Sequence, residues 1–191
     1  KKVFIGTGAR PLIPPIKGLD DVEFLTNETV FDLKKQPESL VIVGGGYIAV
    51  EFAHFFSAIG TKVTMIQRSD RLVNNSEPEI SDLLLSKLKQ RMNILLNTEV
   101  VEIKKTDNGL EVIGKDRKSN LTKSYIGEKV LIATGRKSNA DLLKVENTGV
   151  ETDQRGYIKV NEYLETTKEN IWALGDATGQ AMFKHVANDE A

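Results

Sequence analysis

The sequence predicts an α/β fold, a parallel sheet with helices to which an antiparallel β-meander is added. Three observations predict it. Buried-type apolar runs alternate with helical patterns between residues 39 and 96. A glycine-rich turn joins the first of those runs directly to the first long helix. Beyond residue 96 the strands become short and polar-flanked around a hairpin turn, which favours antiparallel pairing.

The chain opens in a strand-like run, Val3-Phe4-Ile5, followed by Gly6-Thr7-Gly8-Ala9-Arg10-Pro11 and the turn-rich Pro14-Pro15 and Lys17-Gly18. Thr26 is placed to cap a short helix around residues 28–33, and Pro37 ends the connection. Residues 39–43 are apolar without alternation, as a strand covered on both faces must be. Residues 47–59 carry Ile48, Phe52, Phe55, Phe56 and Ile59 at helical spacing, and Gly60 stops the helix. Residues 62–67 form the next strand. Ser76-Glu77-Pro78-Glu79 reads as a capping box with Ser76 as N-cap. The helix it opens carries Ile80, Leu84 and Leu88 on one stripe, with Leu83 beside them. Residues 93–96 supply a third parallel strand. Residues 100–104, 110–114 and 121–126 form the meander, with Asp107-Asn108-Gly109 as its hairpin turn. Residues 129–133 return as a buried strand. Strand signals at 157–160 and 171–174 precede a closing helical stretch. An opening inside a strand and a close inside a helix are what an internal piece of a longer chain is expected to show.

Composition narrows the function classes. Among 191 residues, 26 Lys and Arg balance 27 Asp and Glu, for a net charge of −1. Such a chain has no overall attraction for nucleic acid or anionic membrane. It has no cysteine, which excludes disulfides, thiolate metal sites and a cysteine nucleophile within these residues. No apolar run approaches the ~20 residues of a membrane span. The opening residues do not form a signal peptide. A small-molecule partner and a cytoplasmic location are expected. His54 and His185 lack metal-ligand spacing, and no metal site is expected.

The central chemical signal is Gly44-Gly45-Gly46-Tyr47-Ile48-Ala49, which fits G-x-G-x-x-G/A between a strand and a helix. Gly44 permits the tight turn, Gly46 lets backbone approach a pyrophosphate, and Ala49 lets the helix pack on the strand. The helix N-terminus presents free N–H groups and partial positive charge to phosphates. The fold expected is therefore a Rossmann-like dinucleotide-binding domain.

The end of the second strand bears on the choice of nucleotide. An NAD site places an acid about 20 residues beyond the first glycine. Here the sequence reads Ile66-Gln67-Arg68-Ser69, with no acid before Asp70. Gln67 and Arg68 favour a 2′-phosphate, hence NADP(H) over NAD(H); the alternative is that Arg68 and Arg71 are solvated surface residues. Tyr47 and Glu51 share one helix face. Glu51 is either a paired functional acid or an early-turn acid complementing the helix dipole. Ala133-Thr134-Gly135-Arg136 and Leu174-Gly175-Asp176-Ala177 each follow a strand signal. Asp176 can accept hydrogen bonds from a ligand hydroxyl or cap a helix.

Together these segments resemble the central part of the flavin-dependent class I pyridine nucleotide–disulfide oxidoreductases, the family of dihydrolipoamide dehydrogenase, glutathione reductase and mercuric reductase. The matching runs occur in family order: residues 4–11, Val41 to Glu51 (VIVGGGYIAVE), Ile132 to Arg136 with Asn139, Gly156 to Val160 (GYIKV) and Ile171 to Ala177 (IWALGDA). The resemblance covers essentially the whole chain. It implies an NAD(P)-binding domain at 31–140 between partial FAD-domain segments at 1–30 and 141–191. It implies catalytic roles for Tyr47, as the aromatic gating the nicotinamide pocket, and Glu51, as the acid reaching the nicotinamide and pairing with a flavin-domain lysine. The implied NAD(P) contacts are Gly44, Gly46, Tyr47, Ile48, Ala49, Glu51, Gln67, Arg68, Val100 and Gly135. The implied FAD contacts are Gly8, Arg136, Asp176, Met182 and Phe183, the last two against the flavin ring.

The family's redox-active Cys-x4-Cys pair, its first glycine fingerprint and its C-terminal dimerisation domain are absent from these residues, and Ser138 stands where the family usually has proline. Pro11 bars Gly6-Thr7-Gly8 from replacing that fingerprint, because a helix cannot run there. The resemblance implies a parent that moves hydride between NAD(P)H and FAD and electrons to or from a redox disulfide, as a homodimer. The leading label is dihydrolipoamide-dehydrogenase-like, with a mercuric- or glutathione-reductase-like enzyme as the alternative. A binding-only nicotinamide-nucleotide module is the alternative of another class. The isolated piece, having no thiol, is not expected to turn over a disulfide.

Overall fold

The computed structural model describes residues 1–191. In chain order its elements are strands β1 (Val3–Ile5), β2 (Ala9–Pro11) and β3 (Ser39–Val43), helix α1 (Tyr47–Ala58), β4 (Lys62–Ile66), α2 (Pro78–Leu88), β5 (Asn93–Leu95), β6 (Thr98–Thr106), β7 (Gly109–Asp116), β8 (Thr122–Gly127), β9 (Lys129–Ile132), β10 (Arg136–Ser138), α3 (Ala140–Leu143), β11 (Ile171–Ala173) and α4 (Lys184–Glu190). They fold as two compact units, Pro11–Gly135, and Lys1–Arg10 with Arg136–Ala191.

In the unit Pro11–Gly135 a parallel sheet runs in the order β5-β4-β3-β9. Successive β3 side chains go to opposite faces, and both faces are covered. Leu40 and Ile42 pack with Met65 against Ala49, Ala53 and Phe56 of α1 and Leu88 of α2. Val41 and Val43 pack with Ile66, Val130 and Ile132 against Ile103 and Val112 of the meander. This two-sided burial is why β3 reads as a continuous apolar run. Fully burying each such Leu or Ile contributes roughly 1.5–3 kcal/mol, so the centre of the sheet contributes strongly to the stability of this unit. The meander is the three-stranded antiparallel sheet β6-β7-β8.

The sequence placed domain boundaries at residues 30/31 and 140/141, whereas the compact units divide at 10/11 and 135/136. The physical reason lies in residues without regular structure. Leu19 and Leu25 are buried in the two cores of this sheet. The Leu25 amide donates to Val130 O at 2.7 Å, and Ile132 N donates back to Leu25 O at 2.8 Å. Leu25 therefore adds an isolated bridge beside β9 and ties its segment to this sheet.

In the other unit β1 pairs in parallel with β11, and β10 pairs with β2. Its core holds Ile5, Ala140, Val145, Val150, Ile158, Ala173 and Ala177. The strand signal at 157–160 survives only as isolated bridges, Thr152 to Ile158 and Val160 to Thr166.

Three local expectations need correction or refinement. The capping box at residues 76–79 does not form: Glu77 is the N-cap of α2 and makes no side-chain cap, because Pro78 occupies the first helical turn. The buried stripe of α2 is also rotated. Ile80 and Leu83 are 56% and 57% exposed, while Ser81 is buried with its hydroxyl donating to Leu72 O at 2.9 Å. The short helix after Thr26 is a 3-10 turn, Thr29–Asp32. Thr26 Oγ1 accepts from Glu28 N at 3.2 Å and Thr29 N at 3.4 Å.

Candidate functional site

The glycine turn after β3 is shaped by contact with the strand beside it. Gly44 has φ +128°, and a Cβ there would lie 2.1 Å from Ala133 O. Its amide donates to Ile66 O at 2.9 Å, while Ala133 N donates to Val43 O at 2.8 Å. Only glycine meets both the conformation and the approach. Gly46 differs: a Cβ there would meet nothing within 4 Å. Gly46 is the N-cap of the 12-residue α1 and offers no side-chain cap. The first-turn N–H groups of α1 thus point toward open space with the positive end of the helix dipole, an arrangement that suits an anion. Ala49 is fully buried against the sheet, as the third small position of the fingerprint requires.

The segment after β4 closes over this turn through backbone bonds. Val73 N donates to Gly45 O at 2.7 Å, Gln67 N to Leu95 O at 2.8 Å, and Thr98 N to Gln67 O at 3.0 Å. Gln67 lies beside Gly45, where a Cβ would come within 2.8 Å of its side chain. Both ends of the Gln67 amide serve its own loop: Nε2 donates to Arg71 O at 3.2 Å, and Oε1 accepts from Arg68 N at 3.1 Å. Arg68 is exposed.

Tyr47 opens α1, 42% exposed, with its hydroxyl 3.2 Å from Ser76 Oγ. Glu51 lies one turn on, exposed, at the edge of an open groove beside Phe31, Phe52, Phe55 and Ile59. Ile48 is half-buried. Val100 is buried in the cluster that holds Val43 and Ile66, the last residues of β3 and β4. Gly135 accepts from Leu12 N at 2.9 Å. The structure therefore brings Gly44, Gly46, Ala49, Gln67 and Val100 to one end of the sheet.

The second set, in the unit of residues 1–10 and 136–191, is joined by charge. Arg136 pairs with Asp176 and also donates to Ala9 O. Arg136 Nε is buried without an acceptor. Tyr157 Oη donates to Arg136 O at 2.7 Å and lies 3.9 Å from Met182 Sδ. Burial of the phenol raises its pKa above the ordinary tyrosine value. Asn139 N donates to Gly8 O at 3.1 Å. Phe183 is the N-cap of α4, stacked on His185 at 5.7 Å. Asp176 sits in a 3-10 turn, Gly175–Ala177, and is an ion-pair partner rather than a helix cap. Ser138, in the place of the expected proline, is buried and satisfied, with Oγ donating to Ala177 O at 3.1 Å.

Sequence reasoning missed the residues that hold these turns. Arg10 forks onto Asp141 at 2.8 and 2.7 Å and also reaches Ser138 O and Asn139 Oδ1. Lys137 adds a 2.8 Å ion pair to the same carboxylate. The hydrogen bonds from Arg10, then those from Lys137, hold the Asp141 carboxyl well below the usual carboxylate range. Arg117, in the turn between β7 and β8, donates from Nη1 to Arg68 O at 3.3 Å. Counting outward from the Thr106–Gly109 pair reaches Thr98 one residue out of register, because an irregularity between Val100 and Glu102 shifts the ladder so that Thr98 faces Asp116. The hairpin is the one sequence signal that brings Arg117 toward the end of β4, and only approximately.

A family model described as pyridine nucleotide-disulphide oxidoreductase matches residues 1–191. Mercuric reductase of Staphylococcus aureus is 37% identical over 192 residues, covering 98% of this chain and 34% of that protein. Dihydrolipoyl dehydrogenase of Buchnera aphidicola subsp. Schizaphis graminum is 33% identical over 193 residues, covering 100% of this chain and 40% of that protein. The solved HOCl-induced flavoprotein disulfide reductase RclA from Escherichia coli superposes with a TM-score of 0.87 at 34% identity, covering 99% of this chain and 42% of that one. The chain thus spans well under half the length of these relatives. A match over every residue, on a shared Rossmann-like fold whose glycine turn is enforced by Ala133, establishes that the chain belongs to the flavin-dependent pyridine nucleotide-disulphide oxidoreductases.

Proposed function

We infer that residues 11–135 form the nicotinamide-dinucleotide-binding part of an NADPH-dependent flavoprotein reductase. The observation that carries this reading is the contrast within one turn: Gly44 is closed by Ala133 while Gly46 opens onto uncapped N–H groups of α1. The pyrophosphate binds those groups. Arg68 takes the 2′-phosphate, because Gln67 is engaged with its own loop and no acid precedes Asp70. Tyr47 covers the nicotinamide pocket, and Glu51, one turn along the same helix, orients the nicotinamide end. Gly135 contributes backbone near that end. Val100, buried under the loop, supports the adenine side.

Gly8, Arg136, Asp176, Met182 and Phe183 fall to FAD. The buried Arg136 Nε without an acceptor fits a group that supplies one. Held by these residues, FAD would supply the acceptor for a hydride from a reduced nicotinamide. This chain's residues bind, orient and cover; the acceptor site lies outside them. In the whole protein, a disulfide oxidoreductase and a homodimer are the assembly we infer. The Gln67-Arg68 pair favours the reductase side over the dihydrolipoamide-dehydrogenase label. So does the identity to mercuric reductase, 37% against 33% for dihydrolipoyl dehydrogenase.

The test is a calorimetric titration of the chain with NADPH and with NADH at one salt concentration, repeated on Arg68→Ala. Tighter NADPH binding that the substitution abolishes supports the reading. Equal or tighter NADH binding overturns the role of Arg68, and binding of neither overturns the nucleotide site.

A further inference from the structure

Three segments distant in sequence are laddered together at the end of β4. Asn97 N donates to Ser69 O at 2.9 Å, Thr98 N to Gln67 O at 3.0 Å, and Arg117 N to Asn97 O at 2.7 Å. The side chain of Arg117 then crosses the ladder, with Nη1 donating to Arg68 O at 3.3 Å. That bond uses one of the five N–H donors of a guanidinium and fixes Arg117 over the backbone of Arg68. Arg117 is thereby brought to the loop that carries Arg68 and Arg71, and the ion pairs of the chain include none of the three.

The acid that precedes Arg117 in the sequence, Asp116, is occupied. Asp116 Oδ1 accepts from Lys118 N at 2.9 Å, Ser119 N at 2.7 Å and Ser119 Oγ at 3.0 Å. The Ser119 bonds, then that of Lys118, lower its pKa, so it is an ionised carboxylate turned to its own turn. Asp116 shapes the β7–β8 turn that carries Arg117 and leaves the guanidinium without a carboxylate partner. A guanidinium tied by one N–H to the backbone of Arg68 keeps its other donors for a phosphate, which arginine binds well.

We propose that Arg117, brought from the meander, is a second 2′-phosphate ligand and a determinant of NADPH over NADH. The inference rests on the nucleotide reading above and extends it to a residue on a different element. It also gives the meander a function: β6 and β7 carry an arginine to the loop that reads the ribose.

The test measures NADPH and NADH affinity of the wild-type chain, Arg117→Ala and Arg117→Lys. Adenosine 2′,5′-bisphosphate and adenosine 5′-monophosphate serve as minimal probes of the same subsite. A charge-assisted bond at a partly exposed phosphate corresponds to about tenfold in affinity. Arg117→Ala is expected to weaken NADPH and the bisphosphate about tenfold and leave NADH and the monophosphate within about twofold; Arg117→Lys retains part of the preference. Equal weakening of all four ligands assigns Arg117 a purely structural role and overturns the proposal. So does an unchanged NADPH preference in Arg117→Ala when Arg68→Ala removes it, an outcome that leaves the nucleotide reading intact. If the wild-type chain binds none of the four, the nucleotide reading falls and this proposal with it.

Discussion

The two candidate regions differ in what is added to their backbone bonds. The glycine turn and the loop over it are held by backbone: Gly44 to Ile66, Val73 to Gly45, Thr98 to Gln67 and Asn97 to Ser69 are all main-chain bonds of 3.0 Å or less. The region around residues 6–10 and 136–141 adds side-chain ties to its backbone pairing of β2 with β10 and of Asn139 N with Gly8 O. Arg10 and Lys137 converge on Asp141, Arg136 pairs with Asp176, and Asn139 Nδ2 donates to Thr7 O at 2.9 Å. Backbone bonds do not titrate, whereas the Arg10–Asp141 and Lys137–Asp141 pairs, whose side chains are 31–45% exposed, are screened by salt. The first region should therefore tolerate changes of pH and side chain but no change of backbone. The second should respond to charge as well, and tolerate an added methyl where its glycine has open space around it.

The sharpest way to break this contrast is one substitution made in both regions. Gly44→Ala forces a Cβ to within 2.1 Å of Ala133 O at φ +128°. Neither atom is the tip of a flexible side chain, so the sheet must part. A loss of more than about 4 kcal/mol is expected in denaturant unfolding, with NADPH binding abolished. Gly8→Ala meets only the conformational cost. Gly8 has φ +66° and nothing within 4 Å of the added methyl, so roughly 1–2 kcal/mol is expected. Comparable losses at the two sites would show that Gly44 is not closed by Ala133.

Charge comes next. Asp141 is depressed in the folded state, chiefly by Arg10 and then Lys137. A depressed carboxylate stabilises the fold above its unfolded pKa of about 4, and that contribution is lost as pH falls through the folded value. Asp141→Asn should therefore lower Tm at neutral pH, with a gap from wild type that narrows below about pH 4 and shrinks in high salt. A gap that is flat from pH 7 to pH 2 would mean the clamp acts by hydrogen bonding alone. The NADPH affinity of the glycine turn should show no matching dependence on this substitution.

The same division explains what the sequence could tell. The β3 strand, the fingerprint and the meander were legible because their signals are local: an apolar run, three glycines, an Asn-Gly turn. The capping box was misread because Ser76 and Glu79 have the right spacing, while Pro78 between them shifts the N-cap to Glu77. The α2 stripe was misread because Ser81, a polar residue, is buried by its own bond to Leu72. The sequence groups residues 11–30 with the flanking segment, and the two backbone bonds by which Leu25 joins the sheet leave no periodicity to read. Arg117 and the Arg10–Asp141 clamp were invisible because their partners lie 49 and 131 residues away.

The smallest expected effect tests the backbone-held region from within. Ser76 Oγ lies 3.2 Å from Tyr47 Oη, and both groups are reached by solvent. A hydrogen bond in that setting competes with water and is worth about 0.5 kcal/mol. Ser76 N, by contrast, donates to Val73 O at 2.7 Å, and Val73 N to Gly45 O, so the loop keeps its place without the hydroxyl. Ser76→Ala should leave Tm unchanged within about 1 °C and alter NADPH affinity less than about twofold. If affinity instead falls tenfold while the fold is intact, one side-chain bond sets the Tyr47 ring. The backbone would then account for the turn but not for the gate beside it.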